Sequence, residues 1–142
     1  MALTQLIYAS RPFGFDAGML NQILFQAREN NARHDITGAL ICRSDLYLQL
    51  LEGPSAAVQE TYARIARDDR HVEVTCLMTR ETRTRLFAGW AMRDDAARSW
   101  MWTMQEVADG AVARCDTQEA LGVFTCIAAG LPEDPPRTCR HA

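Results

Sequence analysis

Two apolar runs only three residues apart restrict the fold more than any other feature of this chain. They are Ile36-Thr37-Gly38-Ala39-Leu40-Ile41-Cys42 and Leu46-Tyr47-Leu48-Gln49-Leu50-Leu51-Glu52, and Arg43-Ser44-Asp45 between them leaves room only for a tight turn. The pair therefore reads as a β-hairpin. Ahead of it, residues 3–10 alternate as a strand with Leu6, Tyr8 and Ser10 on one face. A loop, Arg11-Pro12-Phe13-Gly14-Phe15, leads to Asp16, a good N-cap for a helix over 17–31. In that helix Leu20, Ile23, Leu24, Ala27 and Asn31 fall at helical spacing on one face.

After the hairpin, Gly53-Pro54-Ser55 stops the strand and opens a second helix, with Pro54 suited to its first turn. Val58, Tyr62 and Ile65 share a face of it, and it ends near Arg67-Asp68-Asp69-Arg70. Val72–Met78 reads as a fourth strand and Leu86–Met92 as a fifth. The order β-α-β-β-α-β-β predicts an α+β fold: a ferredoxin-like βαββαβ plan with an added strand, giving a five-stranded sheet with two helices on one face. Residues 96–108 and 116–130 read as two more helices, broken at Asp109-Gly110. Their apolar residues (Trp100, Met101, Trp102, Met104 and Val107; Leu121, Val123, Phe124 and Ile127) predict that they cover the other face of the sheet. The segment from Leu131, with Pro132, Pro135 and Pro136, is expected to be a mobile tail.

At 142 residues, 48% of them apolar and 23% charged, the chain is expected to be one soluble domain with a core of its own. All 15 basic residues are Arg, scattered in a chain of net charge −3, which argues against direct nucleic-acid binding. The five cysteines show no CxxC spacing, and a reduced, cytoplasmic protein is the simpler expectation. No signal peptide and no run of about 20 apolar residues is evident, so no membrane span is expected. His34 and His71 lack further ligands at metal-binding spacing, so no metal is expected.

Three polar residues stand where the pattern calls for apolar ones. Tyr8 lies on the inward face of the first strand, Asn31 closes the apolar stripe of the first helix, and Gln49 interrupts the second strand of the hairpin. A buried amide without partners costs about 1–3 kcal/mol. Three such groups on neighbouring elements predict a pocket for a planar molecule with polar edges.

The same residues carry a wider pattern: Leu6-Ile7-Tyr8-x-Ser10, then Asn31, Ile36-Thr37-Gly38, Gln49-x-Leu51-Glu52-Gly53-Pro54, Asp69-Arg70-His71 and Arg85-x-Phe87-x-x-Trp90-x-Met92. In order and spacing this resembles the BLUF family of blue-light sensors that use flavin, over residues 3–93. The resemblance implies a photosensory domain over 1–94, a helical extension over 95–130 and the tail over 131–142. It implies FAD, bound non-covalently between the first two helices. Tyr8 would be the electron and proton donor to the photoexcited flavin. Gln49 would bridge Tyr8 to the flavin N5/O4 edge, and Asn31 would hold the O4/N3 edge. Ser10, Trp90 and Met92 would join that network. Ile23, Leu24, Ala27 and Ile65 would sandwich the ring, with Arg28, Asn30, Arg70 and His71 beside the ribityl chain and phosphates. Tyr47, Cys42 and Asp35 depart from the family pattern, where Phe, an aromatic residue and Gly are frequent.

Only about fifty residues follow Met92. The expectation is therefore a sensor without an effector catalytic domain, signalling through contact with an effector or regulator protein as a homo-oligomer. Two other readings share the fold: an acylphosphatase-type hydrolase with Arg11 as phosphate cradle, and a flavin-free regulatory ligand-binding module. The first lacks a glycine-rich run of backbone donors after the opening strand.

Overall fold

The computed structural model describes residues 2–14, 16–97 and 101–130. Among these the elements are β1 (Leu3–Pro12), α1 (Ala17–Arg33), β2 (Thr37–Arg43), β3 (Leu46–Gly53), α2 (Ser55–Ala66), β4 (His71–Thr82), β5 (Arg93–Ala96), α3 (Met104–Ala108) and α4 (Thr117–Ala128). The sheet runs β4-β1-β3-β2-β5. Its first four strands pair antiparallel, and β5 joins β2 in parallel. This is the ferredoxin-like sheet with one added strand.

The central position of β3 explains its composition. All eight of its residues are buried, because both of its faces are covered. Leu46, Leu48 and Leu50 face one layer with Ile7, Ile41, Trp102, Val123 and Phe124. Tyr47 and Leu51 face the other with Tyr8, Ile23, Leu24, Leu40 and Val58. The helices α1 and α2 cover one face, and the 101–130 segment covers the other, where Phe87 and Phe124 meet edge to face at 6.2 Å. Both layers match the sequence expectation. Gly38 permits the tight β2–β3 pairing, since a Cβ there would sit 2.0 Å from the Leu50 carbonyl oxygen.

Helix α1 starts where Asp16 accepts a 2.7 Å hydrogen bond from the Met19 amide. Pro54 occupies the N-cap position of α2, one residue before its first turn, without a capping side-chain hydrogen bond. Two elements differ from the sequence reading. Residues 86–92 are not a strand. The Leu86 and Phe87 amides donate to the Glu52 carboxyl at 2.9 and 2.8 Å instead of to a neighbouring strand. Gly89 then turns the chain at φ 88°; the Trp90 carbonyl accepts from the Gly38 amide at 3.1 Å, and the parallel ladder with β2 starts at Arg93. Helix α3 begins at Met104 rather than 96, because Thr103 and Glu106 form a reciprocal capping box there. Met101 and Trp102 precede it as buried anchors, whereas Trp100 and the tail from Leu131 lie outside the described residues. Cys42, Cys76 and Cys115 carry free thiols.

Glu52 ties the connection between β4 and β5 to the sheet. Fully buried, it also accepts from Gln5 Nε2 at 3.0 Å and Thr37 Oγ1 at 2.9 Å. In Glu52→Gln an amide nitrogen faces donors. We expect urea unfolding to show a loss of roughly 2–3 kcal/mol; stability equal to wild type would show that the network does not hold this segment.

Candidate functional site

A cleft opens between α1 and α2 above the sheet, with about 610 Å³ of space between its walls and the adjoining solvent. Tyr8, Gln49 and Leu51 line it from β1 and β3. Ile23, Gln26, Ala27, Asn30 and Asn31 line it from α1, and Thr61, Arg64 and Ile65 from α2, with Asp68, Arg70 and His71 beyond. The apolar residues offer walls for a flat molecule, and the amides and guanidinium groups supply hydrogen bonds and positive charge.

Strand register creates the central pair. Tyr8 lies directly opposite Gln49 in the antiparallel β1–β3 ladder, so both side chains project to the same face. A register shift after Ile7 in the β1–β4 ladder bends the strand beside Tyr8. The Tyr8 hydroxyl donates to Gln49 Oε1, and Gln49 Nε2 donates to Met92 Sδ at 3.3 Å. All three residues are at most 3% exposed. Burial, reinforced by the nearby Asp68 and by the other two phenols, lifts the Tyr8 hydroxyl far above the ordinary phenol range. Tyr8 is therefore a neutral hydrogen-bond donor.

The rim is a second network. Asn31 Nδ2 donates to the Ala91 carbonyl at 2.7 Å, fixing the segment that carries Met92. Asn30 Nδ2 reaches Asn31 Oδ1 at 3.2 Å and Thr61 Oγ1 at 3.1 Å, and Arg64 donates to Asn30 Oδ1. Asn30 thereby joins α1 to α2. Arg70 pairs with Asp68 and donates to Gln26 Oε1 at 2.7 Å. The hydrogen bond from Arg70 holds the Asp68 carboxyl below the usual carboxylate range. His71 Nδ1 meets Ser10 Oγ at 2.9 Å.

Of the residues expected from sequence, Tyr8, Ile23, Ala27, Asn30, Asn31, Gln49, Ile65, Arg70 and His71 line the cleft. Leu24 packs behind the wall in the core, and Ser10 acts on His71. Arg28 turns to the Met92 carbonyl at 3.1 Å, so it braces that segment rather than lining the cleft. Met92 points inward, whereas Trp90 is 51% exposed and stacks under the Arg93 guanidinium. Gln26, Thr61, Arg64 and Asp68 are lining residues that sequence reasoning missed. Thr61 follows Val58 by three positions, and Gln26 precedes Asn30 by four; extending the helical stripes would have found both. Nothing local marks Asp68.

Among the described residues no cluster of His, Cys, Asp or Glu could hold a metal ion, and no helix is long and apolar enough to cross a membrane. The fold and site define a ligand-binding module of ferredoxin-like plan, with a buried phenol–amide pair at the base of its cleft. The family described as BLUF, sensors of blue light using FAD, matches residues 3–93, and the chain belongs to that family. Residues 3–93 thus form a BLUF domain, of the family of blue-light sensors that use FAD.

The photoactivated adenylate cyclase subunit beta of Euglena gracilis is 42% identical over 74 residues, which are 51% of this chain and 8% of that protein. The chain thus spans a small part of this curated relative. The dark-state structure of the BLUF protein BlrB superposes with a TM-score of 0.73 at 29% identity, covering 91% of this chain and 97% of that one. The photo-activated state of BlsA, at TM-score 0.74 and 21% identity over 94% and 99% of the two chains, shares the fold.

The cleft suits FAD chemically. Apolar walls from Ile23, Ala27 and Ile65 fit a planar ring. The amides of Gln49 and Asn31 can donate and accept at its polar edge, and Arg64 offers positive charge for a diphosphate beside Arg70, which is paired with Asp68.

The cleft's neighbours make two effects on stability measurable. His71 is buried between aromatic rings, and burial lowers its imidazole to about 4 from the usual 6.5, with Asp68 and Arg70 acting in opposite senses. The unfolded chain then takes up a proton near pH 6.5 that the folded chain refuses. Stability is full above that pH and falls by roughly 3 kcal/mol as pH drops to about 4. Urea titrations across this window should show that decline and its reduction in His71→Gln; equal slopes in the two proteins would contradict it. Among the described residues, the Tyr47 hydroxyl is the one buried side-chain polar atom without a partner. Tyr47→Phe should therefore raise stability by about 1 kcal/mol, and a loss of that size would reveal a partner for the hydroxyl.

Proposed function

We propose that Tyr8, Gln49 and Met92 form the light-operated hydrogen-bond switch of this sensor. The observation that carries the reading is the continuous buried chain from the Tyr8 hydroxyl through the Gln49 amide to the Met92 sulfur, with Tyr8 and Gln49 lining the cleft. Bound FAD supplies blue-light absorption and, once excited, a strong one-electron oxidant.

The side chains at the base of the cleft govern the response to that oxidant. A buried neutral phenol that loses an electron must also release its proton, and the partner of the Tyr8 hydroxyl is Gln49 Oε1. Gln49 has a donor and an acceptor on one rotatable amide. Its Nε2 is held by a thioether, a weak acceptor, so leaving that partner costs little and a second amide arrangement lies close in energy. An altered amide presents different dipoles to whatever occupies the cleft, which accounts for a small spectral shift without lasting redox change. Asn31, Asn30, Arg64 and Arg70 keep the ligand in register, while Leu51, Ile23, Ala27 and Ile65 exclude water from it.

Met92 connects the switch to the rest of the fold. Its segment is held by Arg28 and Asn31 and runs into β5. On this reading, a change at Gln49 reaches β5 and the 101–130 layer, and the output is contact with an effector protein by a cytoplasmic homo-oligomer. The presence of photoactivated adenylate cyclases among the relatives supports such a coupling.

The test is an absorption spectrum of the FAD-loaded protein before and after a blue pulse. Wild type should shift slightly to the red and recover in the dark. Tyr8→Phe and Gln49→Leu should stay yellow and lose the shift. A normal photocycle in either variant removes that residue from the switch.

A further inference from the structure

All three tyrosines of the chain belong to one aromatic cluster with His71. The Tyr8 and Tyr62 rings lie 5.7 Å apart between centroids, inclined at 49°. His71 stands 6.0 Å from Tyr8 and 5.1 Å from Tyr47. The three phenols differ in the property that decides whether they can be oxidised: where the hydroxyl proton can go. An oxidised phenol is strongly acidic, so oxidation is completed only where a base or water receives that proton. Tyr8 has Gln49. Tyr47 is fully buried and its hydroxyl has no partner. Tyr62 is partly exposed on α2, within reach of solvent.

We propose that Tyr62 is a second redox-active residue of this sensor, reducing oxidised Tyr8 across their ring contact and releasing its own proton to water. The inference rests on Tyr8 being the electron donor. In the first step Tyr8 gives one electron to the excited flavin, the oxidant, and its proton to Gln49 Oε1. Tyr62 then gives one electron to the Tyr8 radical and its hydroxyl proton to solvent. Tyr8 takes back the proton from Gln49 and is restored as a neutral phenol. The unpaired electron now rests on Tyr62, partly exposed on α2. Gln49 has returned to its starting state without completing the switch. This branch lowers the yield of shifted product and exposes a tyrosyl radical to solutes. Tyr47 does not enter it, although it lies within the same cluster, because its proton has no acceptor.

The experiment illuminates the FAD-loaded full chain with a nitroso spin trap and maps the adducts by peptide mass spectrometry. The shifted product formed per absorbed photon is recorded in parallel. The expected results are an adduct on Tyr62 in wild type and in Tyr47→Phe, its loss in Tyr62→Phe, and a higher yield of shifted product in Tyr62→Phe. The wild-type map needs no variant, so a folding defect cannot mimic its outcome. A normal red shift with no adduct on Tyr62 overturns the proposal while leaving the switch intact. A wild-type holoprotein that shows no red shift overturns the switch reading and this inference with it.

Discussion

The hydrogen bond from Tyr8 to Gln49 is the interaction on which the rest of this structure depends. It exists because β1 and β3 are adjacent, antiparallel and in a register that sets these two residues face to face. A slip of one strand by one residue would turn Tyr8 and Gln49 to opposite faces of the sheet. The fold prevents that slip with two cores, one on each side of β3, each filled by alternate residues of the same strand. Keeping a phenol and an amide inside one of those cores is tolerable because the phenol donates to the amide oxygen and Met92 takes the amide nitrogen.

Around that pair the buried polar groups differ in how firmly their partners hold them. Glu52, with four donors on its carboxyl group, is a fixed point that holds the 86–87 segment against the sheet. Gln49, a few residues back on the same strand, has a strong partner on one side and a thioether on the other. A group held by a weak acceptor is the one free to change partners. The loop that carries Met92 is thus anchored at one end by Glu52 and touched at the other by the Gln49 amide. Phe87 on that loop packs against Phe124 of α4, so the anchored end also faces the far layer of the sheet.

Much of this is legible in the sequence, for physical reasons. The hairpin, the two helices and the trio of Tyr8, Asn31 and Gln49 are signals of local periodicity, and a polar residue inside an apolar stripe is conspicuous. The 86–92 segment misleads because its alternation mimics a strand, while the group that takes its amides, Glu52, lies more than thirty positions away. The same mimicry hides the orientation of Trp90; outside a strand, alternation says nothing about which residue points inward. Thr61, Gln26 and Arg64 escape notice because polar residues on an amphipathic helix look alike whether they face a cleft or water. Arg28 is drawn to the cleft by its neighbours in sequence, but its guanidinium finds the Met92 carbonyl.

The central claim is that light acts by rearranging the Gln49 amide. Light-minus-dark infrared difference spectroscopy of the FAD-loaded protein, with carbon-13-labelled glutamine, tests it most directly. The predicted result is an isotope-sensitive side-chain carbonyl band that changes on illumination, recovers with the red shift and is absent in Gln49→Leu. A red shift that forms and decays with no isotope-sensitive glutamine band would contradict it.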